Sequence, residues 1–382
     1  MNLQAKADKI GLYCHVPFCA STCDFCAFYQ EKPRRQDIQR YFDCIEQELL
    51  KSGITRDIDT IFWGGGTPGL LAAKDLERLG KAVQAVCRGP VEEWTVEMAP
   101  SVVKLDKLKV LKDLGVTRIS MGVQSFNPKL LESLGRLHAP NQIFQALERI
   151  QQVGFDAVNL DLIFSIPGQT WELLEEDLKQ ATTLGVDHLS TYCLTFEEDT
   201  ALYVKLSEGK ITRDEDQEID LYKRTWAYLE EAGYAQYEVS NFARPGKECL
   251  HNINTWKMHE WLGVGPSASS QIDGFRFTNA SDLSAWQEGV EQGKPAYQER
   301  VPLDDTILAT DTLIFGLRMN QGVCLNRLKE RYPKMNWACF NAFWEDLEAE
   351  GLLTRQSGLI TLTQEGRLLA DWIGTQLLDL NT

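Results

Sequence analysis

The residues with the most specific chemistry lie close together near the start of the chain, in Tyr13-Cys14-His15-Val16-Pro17-Phe18-Cys19-Ala20-Ser21-Thr22-Cys23-Asp24-Phe25-Cys26-Ala27-Phe28. Cys19, Cys23 and Cys26 are spaced C-x3-C-x2-C. Thiolates at that spacing on one loop can take three corners of a cubane iron–sulfur cluster and leave the fourth iron open to an exchangeable ligand. A structural zinc site would bring four closed ligands, often as two pairs, and no second pair follows. Incidental cysteines would leave the spacing, directly after an apolar run and beside Pro17-Phe18, without an explanation. The iron–sulfur reading is therefore preferred to zinc or inert thiols.

A framework must position such a loop. From residue 10 to about 232 the sequence alternates apolar, β-branched runs with amphipathic stretches, as repeated βα units do. Strands are expected at Ile10–Val16, Thr60–Trp63, Trp94–Met98, Arg118–Val123, Ala157–Ile163 and His188–Thr195. Helices are expected at about Gln36–Lys51, Ala73–Val86, Val103–Leu114, Asn141–Val153, Trp171–Leu184 and Glu215–Ala232. The unusual residues fall at C-terminal strand ends: Tyr13 with the cysteine loop, Gly64-Gly65-Gly66-Thr67-Pro68, Glu97, Gln124 and Asp161. Sites built from many strand ends around one mouth belong to β/α barrels, whereas an open sheet concentrates its site at one switch point. The expected fold is thus α/β, a partial (β/α)6 TIM-like barrel over residues 1–232.

Aromatic- and glycine-rich stretches at Tyr234–Ala243 and Trp261–Thr278 predict a β-rich extension over 233–300 packed against the barrel. Residues 301–382 read as a helical, winged-helix-like unit, with a hairpin turning at Gln356-Ser357-Gly358 and a last helix at Glu365–Leu378. Glu345, Asp346, Glu348 and Glu350 beside that wing argue against DNA.

The chain has 382 residues, 43% hydrophobic and 25% charged, enough for one large domain and one or two smaller ones, with no apolar run long enough to span a bilayer. Its first residues have neither a signal core nor transit-peptide character, so a cytoplasmic location is expected. Ten cysteines without an export signal point to reduced thiols. Strand alternation turns Cys14 away from Tyr13 and His15, which makes it a buried filler. The net charge of −16 opposes nucleic acid as a partner, and the dense basic run Lys32-Pro33-Arg34-Arg35 reads as a solvated loop.

These motifs resemble the radical S-adenosylmethionine superfamily, and within it the family of oxygen-independent coproporphyrinogen III oxidase and the heme chaperone HemW. The resemblance runs from Tyr13 through residues 64–68, Gly122-Val123-Gln124-Ser125-Phe126, Leu134-Gly135-Arg136-Leu137-His138 and Pro167-Gly168-Gln169-Thr170 to Leu317–Val323. It implies a 4Fe–4S cluster whose open iron chelates the amino and carboxylate groups of S-adenosylmethionine, with electron transfer to cleave the sulfonium and release a 5′-deoxyadenosyl radical. Carried onto this chain, it implies that Tyr13, Gly65, Gly66, Thr67, Glu97, Gln124, Arg136 and Asp161 contact S-adenosylmethionine. Their chemistry fits such contacts, since glycines allow close backbone approach and the carboxylates can meet an ammonium or ribose hydroxyls. Gln124 and Arg136 offer donors to ribose and carboxylate. In isolation the glycines would read as a turn feeding a helix and each acid as solvated.

Within the family two functions compete: a chaperone that binds heme and delivers it to acceptor hemoproteins, membrane-bound respiratory enzymes among them, and an oxidase that decarboxylates coproporphyrinogen III to protoporphyrinogen IX. A radical enzyme on another tetrapyrrole is a third. Residue 28 is Phe where the oxidases typically have a fourth cysteine, only twelve residues precede Tyr13, and Cys249-Leu250-His251-Asn252-Ile253-Asn254-Thr255-Trp256 resembles the chaperones' HNxxYW motif with Thr255 in place of tyrosine. All three lean toward the chaperone. His251 is the expected axial heme ligand and Cys249 a weaker one, although a single histidine is more often a structural hydrogen-bonding residue. Ser165 departs from the glycine usual in relatives. An electron donor for the cluster is implied, and homodimerisation stays open.

Overall fold

All six expected strands form: β1 (Lys9–Val16), β2 (Asp57–Gly65), β3 (Glu93–Met98), β4 (Arg118–Gln124), β5 (Ala157–Phe164) and β6 (His188–Cys193). The computed structural model describes residues 9–295 and 297–380. The strands pair in sequence order, each parallel to the next. Between them run α1 (Arg35–Lys51), α2 (Ala73–Gln84), α3 (Leu105–Asp113), α4 (Pro128–Ser133), α5 (Pro140–Val153) and α6 (Trp171–Thr183), followed by α7 (Ala201–Ser207) and α8 (Glu215–Glu231). The sequence pattern does not reveal α4 and α7, which at 6 and 7 residues are too short for a helical period to stand out.

The two sheet faces differ in chemistry. On β1, Ile10, Leu12, Cys14 and Val16 are at most 1% exposed and pack under the helices. Cys14 lies there with its Sγ 3.6 Å from the Tyr41 hydroxyl of α1. The opposite face is polar: Tyr13, Thr95, Glu97, Ser120, Asn159, Asp161 and Ser190 come from β1, β3, β4, β5 and β6 and line one cavity of about 950 Å³. A sheet whose inner face encloses a single cavity is curled, which makes the parallel strands a partial barrel.

The next segment supplies the expected β-rich extension, and its strands join the barrel's own sheet. It comprises β7 (Ala235–Gln236), β8 (Asn241–Ala243), α9 (Leu250–Trp256), β9 (Trp261–Val264), β10 (Ser269–Ile272), β11 (Phe275–Asn279), α10 (Leu283–Glu291) and β12 (Tyr297–Pro302). β8 pairs antiparallel with β6 and β9 pairs parallel with β1, so one 12-stranded sheet carries both. Short strands thereby cover the two edges that a six-strand barrel would leave bare.

The C-terminal unit holds α11 (Asp305–Arg318), β13 (Val323–Cys324), α12 (Leu325–Arg331), α13 (Asn341–Ala349), β14 (Leu353–Gln356), β15 (Leu359–Leu362), α14 (Gln364–Leu368) and α15 (Ala370–Asp379). Its three-stranded sheet and its own core, with Leu313, Phe340, Trp344 and Ile360, match the winged-helix-like expectation. Ser357 and Gly358 turn the hairpin with φ of 53° and 83°. Lys223 of α8 pairs with Glu365 at 2.8 Å, and Arg318 and Asp371 reach the barrel cavity. Beyond the basic run at 32–35, Arg327, Lys329, Arg331 and Lys334 are exposed on and just after α12, a second strip that the sequence does not single out. Among the described residues no helix is long and apolar enough to cross a membrane.

Candidate functional site

The loop after β1 is fixed by backbone bonds to three neighbours. Cys19 N–H donates to Glu31 O at 3.0 Å, Thr67 N–H to Phe18 O at 2.9 Å, and Asp24 N–H to Leu134 O at 3.0 Å. Lys205 of α7 adds an ion pair to Asp24 at 2.6 Å. Held this way, Cys19, Cys23 and Cys26 are free, half-buried thiols on the lip of the 950 Å³ cavity. Thr67 Oγ1 lies 3.5 Å from Cys19 Sγ, and Arg136 Nη1 donates to Cys23 Sγ at 3.4 Å. Burial raises the Cys19 and Cys26 thiols, with the Arg136 charge acting against it. Among the described residues no three such side chains converge on a single point as one metal ion requires. A cubane does not ask for that, since each thiolate binds its own iron. The thiols fit such a cluster.

The other expected contacts surround the same space. Gly65 has φ +96°, and a Cβ there would stand 2.3 Å from the His15 ring; a Cβ on Gly66 would stand 2.7 Å from Val16 O. Both glycines are therefore required by close packing as well as by any ligand. His15, which sequence reasoning misses, braces this turn and is bonded through Nε2 to Tyr29 O at 3.0 Å and Nδ1 to the Tyr13 hydroxyl at 3.2 Å. Its position two residues from Tyr13 on the same strand face is the available signal. Gln124 ends β4 with φ +69°, a conformation uncommon for a side-chain-bearing residue and concentrated at functional sites. Ser165 has φ +60°, which explains why glycine suits that position.

Glu97 is buried, which pushes its carboxyl up to about 8, with the Asp161 charge adding to the effect and the Gly65 N–H opposing it. Burial also raises Asp161, while Asn159, Ser190, Ser120 and Arg136 pull it back. Asn159 Nδ2 donates to Asp161 Oδ1 at 2.8 Å and the Ser120 hydroxyl to Oδ2 at 3.3 Å. Two buried carboxylates beside a single guanidinium favour a cationic ligand, and S-adenosylmethionine carries an ammonium and a sulfonium against one carboxylate. Arg136 Nη2 donates to Gly122 O at 2.8 Å, and its Nε is buried without a partner.

His251 is the expected residue that does not join this group. It lies at the N-terminal ends of the strands, opposite the cysteines, where α9 plugs the barrel floor. Its Nδ1 is 3.0 Å from the Thr60 hydroxyl, its ring packs at 5.3 Å against Phe62 with the planes tilted by 34°, and its amide donates to Glu93 Oε1 at 3.0 Å. Burial lowers its pKa to about 4, so the ring is neutral. Cys249 does line the deep end of the cavity, with its Sγ 3.4 Å from Glu93 Oε1. Arg118 joins Glu93 at 3.0 Å and bonds the Lys247 and Glu248 carbonyls, which ties the plug to β3 and β4.

Residues 13–181 match the Radical SAM superfamily and residues 303–369 match the HemN C-terminal domain. The chain is 33% identical to the heme chaperone HemW of Bacillus subtilis (strain 168) over 94% of its length and 96% of that protein. It is 32% identical to the heme chaperone HemW of Escherichia coli (strain K12), over 95% of the chain and 96% of the relative. Among solved structures, coproporphyrinogen III oxidase (HemN) from Escherichia coli, a radical SAM enzyme, superposes with a TM-score of 0.85 at 26% identity, covering 98% of this chain and 92% of that one. Three cysteines on the lip, a glycine cradle, buried strand-end acids and full-length likeness agree: the chain belongs to the radical S-adenosylmethionine superfamily, in the family of HemW and coproporphyrinogen III oxidase, whose cofactors are a 4Fe–4S cluster and S-adenosylmethionine.

Proposed function

We propose that this protein binds heme and delivers it to acceptor hemoproteins, keeping the S-adenosylmethionine cradle but not the oxidase chemistry. Phe28 carries the reading: it is 69% exposed at the cavity lip, two residues past Cys26, where the oxidases typically have cysteine. An aromatic face there gives apolar contact to a flat macrocycle. The full-length relatives named heme chaperones support the same choice.

Cys19, Cys23 and Cys26 would hold the cluster, which when bound and reduced supplies the electron that cleaves the sulfonium. Glu97 and Asp161 would receive the ammonium and ribose hydroxyls of S-adenosylmethionine. Arg136 and Gln124 would take its carboxylate and ribose, Tyr13 would wall the pocket, and Gly65, Gly66 and Thr67 would bring backbone and a hydroxyl to it. Heme would sit at the lip and not on His251, whose ring is committed to Thr60 and Phe62.

The test is anaerobic incubation of the reconstituted, reduced protein with S-adenosylmethionine and coproporphyrinogen III, alongside a heme titration. Saturable binding of about one heme per chain without protoporphyrinogen IX is expected. Robust protoporphyrinogen IX formation would assign the chain to the oxidases instead.

A further inference from the structure

The basic run Lys32, Arg34 and Arg35 has no part in the cradle, yet the fold sets it beside the cluster cysteines. Phe18 and Glu31 form a parallel bridge, Glu31 N–H donates to Pro17 O at 2.7 Å, and Glu31 O accepts from Cys19 N–H at 3.0 Å. Lys32 is therefore the residue next to a direct backbone partner of a cluster ligand. Arg34 is the N-cap of α1 and Arg35 its first residue, at the end of the helix that follows β1 and so at the barrel mouth.

Two features of this run leave its charge open to a partner. Lys32, Arg34 and Arg35 are exposed, and none forms an ion pair among the described residues. Cations at a helix N-terminus also oppose the helix dipole, where a hydroxyl or carboxylate cap would stabilise α1, and Arg34 makes no side-chain cap bond. Two acids flank the run, Glu31, whose carboxylate accepts from the Tyr29 hydroxyl at 2.9 Å, and Asp37 in the first turn of α1, and against the three cations they leave it net positive. The whole chain meanwhile carries −16, so an acidic partner is repelled elsewhere and guided to this face.

We propose that Lys32, Arg34 and Arg35 form the docking face for a small acidic one-electron carrier protein that reduces the cluster. The inference rests on the reading of Cys19, Cys23 and Cys26 as cluster ligands. The carrier's flavin hydroquinone gives up one electron and becomes the semiquinone, while the cluster passes from its 2+ to its 1+ state. The strip on and after α12 is also exposed and basic, but it lies in the C-terminal unit, on no element that carries or braces the cysteine loop, which makes it the internal control.

The probe is a purified acidic flavodoxin in the hydroquinone form, mixed anaerobically with the reconstituted full chain while bleaching of the cluster absorbance is followed. The second-order rate should fall with salt. The triple variant Lys32→Glu, Arg34→Glu, Arg35→Glu should lose about ten-fold or more of that rate, the scale of electrostatic steering. Reduction by photoreduced deazaflavin, which needs no docking, should be unchanged in it. Lys329→Glu, Arg331→Glu, Lys334→Glu makes the same change in net charge and should stay within about two-fold of the parent. If the first triple assembles no cluster, the glutamine triple at the same positions should still slow the flavodoxin reaction with normal iron content. Equal loss in both glutamate triples, or none in the first, would overturn the proposal. So would binding to phosphatidylserine-containing vesicles that the first triple abolishes while its flavodoxin rate is normal, since the face would then be a membrane contact. Failure of the parent to take up iron or to be reduced by deazaflavin would instead sink the cluster reading.

Discussion

At the scale of single residues, the site depends on positions where a side chain would not fit. A Cβ on Gly122 would lie 2.7 Å from Arg136 Nη2 and 2.9 Å from Gln124 Nε2. Both obstacles are tips of flexible side chains, so Gly122→Ala should fold and assemble its cluster while swinging the guanidinium off Cys23 and out of the ligand's reach. Equilibrium binding of S-adenosylmethionine should weaken about ten-fold, or about 1.4 kcal/mol. Unchanged affinity would show that Arg136 does not contact the ligand. The cysteines are legible in the sequence because their spacing carries chemistry of its own, whereas Glu97 and Asp161 are legible only through their places near strand ends and the family resemblance. His15 is not, because its work is to brace Gly65, and a brace has no signature until the turn above it is seen. Gly122 is legible only as part of a motif; the two side chains that exclude a methyl there come from the end of β4 and from the segment after α4.

At the scale of elements, α6 is fastened to the turn after β4 by one carboxylate. Asp177 accepts from the Ser125 hydroxyl at 2.6 Å and from Phe126 N–H at 2.7 Å while only 1% exposed. Burial pushes it up to about 6 from 3.8, against those two hydrogen bonds. A carboxyl raised in the folded state contributes stability that is complete below the unfolded value and is lost as pH rises through the folded one. Between pH 4 and about 6 the parent should thus lose on the order of 2 to 3 kcal/mol relative to Asp177→Asn, which keeps an acceptor for Phe126 and a donor for Ser125. Urea unfolding of the two proteins across that range measures the difference, and parallel curves would refute it. A signal for this fastening is present in the sequence: Leu174, Asp177, Leu178 and Ala181 follow helical spacing, with an acid inside an apolar stripe. The parallel strands are legible for the related reason that their apolar runs are long and regular. β7, β8 and β9 fall inside the aromatic- and glycine-rich stretches where strands are expected, but their pairing is not legible, since strands of 2 to 4 residues show little alternation and their partners β6 and β1 lie far away in sequence.

At the scale of the whole molecule, the barrel has a working mouth and a floor, and His251, expected from the sequence as an axial heme ligand, belongs to the floor. The motif around His251 is a plug: its backbone is tied to Glu93, its ring fills the space beside Gly11, and only Cys249 and Asn252 of that segment reach the cavity. Sequence proximity to Cys249 does not reveal which end of the strands α9 meets, because that depends on the return of the chain beneath the barrel between β8 and β9. Replacing His251 by Ala removes the Thr60 bond and the ring contact with Phe62, so the protein should lose about 2 kcal/mol of stability. Its heme affinity and Soret position should nevertheless match the parent at a temperature where both are folded. His251→Gln separates the two roles, because an amide can still bond Thr60 but offers iron no imidazole. A Soret shift in that variant, with unfolding temperature and iron content unchanged, would place heme on the floor and reverse the assignment of the two ends.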